Sequence, residues 1–244
     1  MRLMNSKVTL TLLACSLASC ASAHLNPAER AELDPTTPRG EVSLFHESSK
    51  IDRLSINDPG YLQETRLNVD RERTGVRFTY GVEYVQGYAE LFSGELLGSS
   101  EEYGGLAIGA MAEVTLHKFD NGASLFLPYK IGLNLGGGEG DFGSERIDFA
   151  TLETVADLGI GVEFRGWRPS LGVTSRHLRG LLEFNGEKQP DEGYDENDFN
   201  DLEADTVAGY VELAYRAPVS PLQVSVRVLS GEETGLYFGT SFLF

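Results

Sequence analysis

Residues 150–165 read ATLETVADLGIGVEFR. Taken alternately, they give Ala150, Leu152, Thr154, Ala156, Leu158, Ile160, Val162 and Phe164 on one side and Thr151, Glu153, Val155, Asp157, Gly159, Gly161, Glu163 and Arg165 on the other. A strand turns successive side chains to opposite faces, so this stretch reads as one long strand with a greasy face and a charged, glycine-rich face. The split recurs upstream at Val76, Phe78, Tyr80, Val82 and Tyr84 against Arg77, Thr79, Gly81 and Glu83. It returns at Leu106, Ile108, Ala110, Ala112, Val114 and Leu116 against Gly109, Glu113, Thr115 and His117. Downstream, Leu222, Val224, Val226 and Val228 oppose Gln223, Ser225 and Arg227. The chain is all-β over most of its length.

Composition narrows the classes. The 244 residues include 28 glycines without a three-residue period and 10% aromatics, which excludes collagen-like and wholly disordered chains. No stretch beyond the N-terminus approaches the run of about 18 apolar residues that a membrane helix needs, so a polytopic helical protein is excluded. A formal charge of -17 makes a nucleic-acid partner implausible, because phosphate backbones bind through Lys and Arg. Arg2 and Lys7, then an apolar stretch at 8–18 and small residues, have the layout of an export signal. Two cleavage points compete: Leu17-Ala18-Ser19-Cys20 fits a lipoprotein signal over 1–19 with Cys20 acylated, and Ala21-Ser22-Ala23 fits an ordinary signal over 1–23. Residues 20–60 read as a linker, with Pro27, Pro35 and Pro38, followed by a weakly patterned segment. The strand-rich domain is expected over 61–244.

A soluble sandwich also alternates, but two features favour a membrane barrel. Several segments run to the nine to eleven residues a tilted spanning strand requires. Short connections at 119–122, 165–167 and 216–221 alternate with longer polar ones at 98–104, 136–148 and 179–205, the asymmetry of outer-membrane barrels. The stretch 235–244 then sets Leu236, Phe238, Thr240, Phe242 and Phe244 on one face and stops on Phe244. With the export signal, this resembles the broad class of small Gram-negative outer-membrane β-barrel proteins, in which such a strand is the signal read by the barrel assembly machinery. The resemblance implies a bacterial outer-membrane location, contact with outer-membrane lipid, and an assembly role for Leu236, Phe238, Phe242 and Phe244. The expected fold is a closed antiparallel transmembrane β-barrel of about ten strands, with eight or twelve as neighbours. The strands fall near 61–72, 74–85, 87–97, 105–118, 123–135, 150–165, 167–178, 205–216, 221–229 and 235–244.

The inward face then decides the chemistry. Glu83, Glu113, Glu153, Asp157, Glu163 and Glu212 share it with Lys130, Arg165, Arg168, Arg176, Arg216 and Arg227, so opposite charges pair across a narrow lumen. A barrel of this size is about filled by its own side chains. The 187–205 loop holds nine acidic residues and one lysine, a surface for divalent cations such as Ca²⁺ or Mg²⁺ though without EF-hand spacing. His177 has Ser175 two residues before it and Glu183 six after; outer-membrane lipid A deacylases instead carry a Ser two residues after the His, where this chain has Arg179. The expected role is structural or surface-interacting, through acidic extracellular loops, in a monomer without cofactor, transition-metal site or catalytic residues. A narrow channel is the alternative, and an outer-leaflet lipid hydrolase the second.

Overall fold

In the computed structural model, residues 38–57, 65–82, 84–96, 103–142, 145–184, 199–216 and 220–244 are described. They form ten strands: β1 Arg39–Asn57, β2 Thr65–Val82, β3 Val85–Leu96, β4 Tyr103–Lys118, β5 Ser124–Phe142, β6 Glu145–Glu163, β7 Trp167–Phe184, β8 Phe199–Arg216, β9 Leu222–Gly231 and β10 Glu233–Leu243. Each pairs antiparallel with its neighbours, and β1 closes onto β10 from Glu41↔Leu243 to Ile51↔Glu233. Closure leaves no free edge, which is how a sheet satisfies its backbone hydrogen bonds inside a bilayer.

The alternation read from the sequence is the inside–outside alternation of the barrel. Leu152, Leu158, Ile160 and Val162 are exposed on the outer face, while Glu153, Val155 and Asp157 between them are buried in the lumen. The same apolar exterior continues around the wall through Ile108, Ile131, Leu171, Val211, Val226 and Phe238. Tyr80, Tyr84, Phe119, Phe164, Trp167 and Phe244 are all exposed at the end that carries Arg39 and the short turns, and make an aromatic girdle there. One of those turns is a two-residue reversal: Arg165 (φ 51°) and Gly166 (φ 84°) both take the left-handed conformation, and Phe164 and Trp167 exchange backbone hydrogen bonds across them.

Several boundaries differ from the sequence reading, among them the expected 179–205 loop, which shrinks because β7 runs to Phe184 and β8 starts at Phe199. The first strand is Arg39–Asn57, within the segment read as linker and weak pattern, and the two strands expected at 61–72 and 74–85 are a single strand, Thr65–Val82. The total of ten holds because these two errors offset. Most of the long loop expected at 136–148 is strand as well: β5 and β6 stay paired out to Phe142↔Glu145, and Gly136, Gly137 and Gly138 lie in β5. Glycine there makes room, since a Cβ on Gly136 would come within 2.6 Å of the Tyr103 ring. The same fit seats Tyr88 over Gly109 and Gly132, and Tyr210 over Gly159 and Gly172. Inward aromatics covering inward glycines explain why the charged face is also the glycine-rich one.

The barrel changes width along its axis. β9 and β10 are the shortest strands, and their hairpin turns at Glu232. β1 runs past that turn, bends at a bulge between Ile51 and Leu54, and pairs directly with β8 through Ser55↔Glu203, Ile56↔Leu202 and Asn57↔Asp201. Ten strands at the girdle end thus become eight at the other. Eight strands leave an interior that side chains fill, and Leu54, Leu96, Tyr103, Ile147, Leu182 and Leu202, each at most 2% exposed, pack it.

Candidate functional site

The lumen is layered from the girdle end upward. At the mouth, Arg168 bridges Glu113 and Glu163, and Arg216 donates to the Gln223 side chain at 3.2 Å. The next layer pairs Arg227 with Asp157 and Glu212, both at 2.7 Å, and Glu90 with Arg77 at 2.6 Å and Lys130 at 3.4 Å. The Arg227 guanidinium also lies 4.2 Å from the Tyr210 ring centre, and the Lys130 ammonium 4.8 Å from that of Tyr88. These layers enclose a cavity of about 690 Å³ that opens at the girdle end, between Arg39, Lys118, Arg165 and Arg216.

Its ceiling is a lattice of three arginines and three glutamates. Arg71 reaches Glu153 at 2.7 Å, Glu47 at 3.1 Å and Glu233 at 2.6 Å. Arg73 joins Glu47 and Glu153, and Arg176 joins Glu47 at 2.8 Å and Glu233 at 3.2 Å. Asn134 adds an amide donor to Glu153. Three cations facing three anions, with Arg71 1% exposed, compensate the cost of removing six charges from water. Above the lattice lies the apolar packing of the eight-stranded end.

Ten of the twelve residues expected in the lumen lie there: Glu113, Lys130, Glu153, Asp157, Glu163, Arg168, Arg176, Glu212, Arg216 and Arg227. Arg165 lies at the rim of the cavity and outside its charge network, exposed in the β6–β7 turn with its guanidinium 4.9 Å from the Phe164 ring centre, because the left-handed turn takes it off the strand. Glu83 lies outside the described residues, as do Cys20 and most of the acidic 187–205 segment, whose Asp201, Glu203 and Asp205 belong to β8. The sequence reading missed Glu47, Arg71, Arg73, Glu90 and Glu233, and set Arg77 on the charged face without counting it in the lumen network. Arg71, Arg73 and Arg77 share one parity with the inward Thr79, a signal that a single unbroken β2 would have exposed.

Outside the barrel, Leu236 and Phe238 face outward, and the backbones of Phe244 and Gly40 exchange hydrogen bonds at 2.9 and 3.0 Å. His177 also points outward. The carboxylate beside it is Asp205, directly opposite in the β7–β8 register and touching Nδ1, rather than Glu183, which sits opposite Phe199. Arg179 and Glu203 face each other one rung further, at 3.5 Å. Donor atoms of His177, Glu203 and Asp205 all lie within 4.8 Å of one another.

An even-numbered, closed antiparallel barrel with a greasy exterior, an aromatic girdle and a polar interior has one setting. The protein is a bacterial outer-membrane β-barrel. The end with the short turns, where β1 starts and β10 stops, faces the periplasm, and the end where β7 stops at Phe184 and β8 starts at Phe199 faces outward. No protein-family model matches the chain, and no curated protein matches it. Among solved structures, the translocator domain of the autotransporter NalP from Neisseria meningitidis aligns at 11% identity and TM-score 0.45, covering 99% of both chains. The transport unit of the autotransporter AIDA-I from Escherichia coli aligns at 12% identity and TM-score 0.41, over 96% of this chain and 97% of that one. Neisserial surface protein A aligns at 9% identity and TM-score 0.37, over 83% of this chain and 96% of that one. These are likenesses of barrel architecture, and the functional reading rests on this chain's own residues.

Proposed function

We propose that this barrel is closed to solute passage and serves at the cell surface, as a structural or surface-interaction protein that presents its outward strands and connections. The Arg71-centred lattice carries the reading: Glu47, Glu153 and Glu233, from β1, β6 and β10, converge on one guanidinium buried inside the barrel. The apolar packing of Tyr103, Ile147, Leu182 and Leu202 above it adds a second barrier. Strand length supports the outward role. β5 and β6 have 19 residues each, where crossing the bilayer takes about 9 to 11, and the surplus stands beyond the outer leaflet. The acidic residues Glu187, Asp191, Glu192, Asp195, Glu196 and Asp198 fall in the connection between β7 and β8.

Planar-bilayer recording tests the closed lumen. The purified barrel should insert without conductance steps, and steady openings in the wild-type chain would favour the channel reading. Replacing 185–198 by a Gly-Ser segment should leave folding intact and abolish the surface interaction; a barrel whose surface binding survives that exchange would not act through this connection.

A further inference from the structure

We infer that His177, Glu203 and Asp205 form a divalent transition-metal site on the outside of the barrel, at the headgroup level of the outer leaflet. It goes beyond the surface role proposed above and requires only that the barrel sits in the outer membrane. The depth follows from the register. Trp167 and Tyr215 face each other in the periplasmic girdle, their rings 4.7 Å apart, and His177 and Asp205 face each other ten residues further along the same two strands. With a rise of about 3.3 Å per residue and a tilt of about 40°, ten residues climb roughly 25 Å, the height of the apolar band. The three side chains therefore leave the wall where hydrocarbon ends.

The donor set is one imidazole nitrogen and two carboxylate oxygens. That is three of the four positions of a tetrahedral Zn²⁺ centre, with the fourth facing the headgroup layer for a water or a phosphate oxygen. An imidazole donor favours Zn²⁺ and its neighbours over Ca²⁺ or Mg²⁺, which take oxygen alone. Metal bonds of about 2.0–2.2 Å hold donors roughly 3.3–3.5 Å apart, so the widest side of the group, at most 4.8 Å, must close by up to about 1.4 Å. His177 and Asp205 are already in hydrogen-bond contact, so a metal entering there replaces that bond as Asp205, 76% exposed, moves out to ligand distance and Glu203 closes the wider side. Alternation along one strand does not reveal this group, because Glu203 and Asp205 are distant from His177 along the chain and read as part of an acidic loop.

Arg179 is the competitor, since its guanidinium lies 3.5 Å from Glu203. Two simple cross-strand ion pairs, His177 with Asp205 and Arg179 with Glu203, are the rival account, and the two make opposite predictions for Arg179. If a metal uses Glu203, removing Arg179 frees a ligand and tightens binding. If the four groups only pair, removing it creates no site.

The test uses the full chain, free of any affinity tag and folded in detergent micelles, titrated with Zn²⁺ by calorimetry and with Co²⁺ by visible absorption. One equivalent should bind, with the intense bands of four-coordinate cobalt. His177→Ala should weaken binding by about tenfold or more, Glu203→Gln should weaken it, and Arg179→Ala should strengthen it. His46→Ala, on the outer face of β1, should change nothing. Heat-modifiable gel migration confirms that each variant is folded. Three results would overturn the site: no binding of either ion, binding indifferent to His177→Ala, which would assign the ion to the acidic residues of 187–198, or loss of affinity in Arg179→Ala.

Discussion

Replacing Arg71 by Met should destabilise the barrel by about 3–5 kcal/mol, the usual cost of breaking a buried ion pair by removing one partner. The structure indicates where that cost falls. Arg71 neutralises three carboxylates at once, at 2.6, 2.7 and 3.1 Å, in a lattice whose charges balance three to three. Without it, Glu47 and Glu153 keep Arg73 and Arg176, but Glu233 keeps only Arg176, at 3.2 Å. A buried anion excess results, so removing one carboxylate should recover much of the loss. Arg71→Met with Glu233→Gln should therefore cost less than the sum of the single changes by about 1 kcal/mol or more. Urea unfolding of the barrel in lipid vesicles measures this, with Trp167, the chain's one tryptophan, as the fluorescent reporter at the periplasmic interface. A cost below about 1 kcal/mol for Arg71→Met, as for an exposed pair, or a strictly additive double variant, would refute the lattice as a source of stability.

Three further expectations use other parts of the molecule. Ile160 is exposed on the lipid-facing side, four residues above Phe164 and hence about 10 Å into the apolar band, so Ile160→Arg should cost about 2–4 kcal/mol in the same unfolding assay. Asp120→Arg in a periplasmic turn should stay within about 0.5 kcal/mol, and equal tolerance at the two sites would contradict the membrane placement. Phe244→Asp should lower outer-membrane levels and leave degraded periplasmic material; fractionation finding normal levels would remove the assembly role of the terminal aromatic. Intact mass should give a chain beginning at an acylated Cys20, whereas an unmodified chain beginning at His24 would mean that the ordinary signal is used.

What the sequence revealed followed from how cleanly the two faces differ. Along β6, Leu152, Leu158, Ile160 and Val162 meet lipid while Glu153 and Asp157 meet the lumen, so alternation alone sets the register. β1 lacked that contrast. Its outer face carries Val42 and Leu44 but also His46, Ser48 and Lys50, and its inner face carries Phe45 and Ile51 beside Glu47, so neither face reads as apolar. His46 is accommodated through a 2.9 Å hydrogen bond to Thr74 on β2 and by Phe238 opposite it on β10, neither of which is visible along one strand. The lattice was half legible for a related reason. Glu153 and Arg176 lie on cleanly alternating strands, whereas Glu47 lies on β1, Arg71 falls near the end of one expected strand with Arg73 in the gap before the next, and Glu233 follows a turn. Convergence of charges from five separate strands is a property of barrel closure, which no local pattern encodes.

The shortened β9–β10 hairpin also governs where this protein tolerates extra sequence. Outward connections of a membrane barrel ordinarily accept insertions, since nothing lies above them. By that rule the β7–β8 connection, 185–198, is the place for an insertion. The turn at Glu232 does not: its carbonyl accepts from the Asp52 amide at 3.1 Å, its own amide donates to the Val207 carbonyl at 3.2 Å, and the β1–β8 junction passes directly overhead. An epitope or a grafted loop displayed at 185–198 would project from the cell, whereas the same segment placed at Glu232 would have to force β1 away from β8 and unstitch the rim.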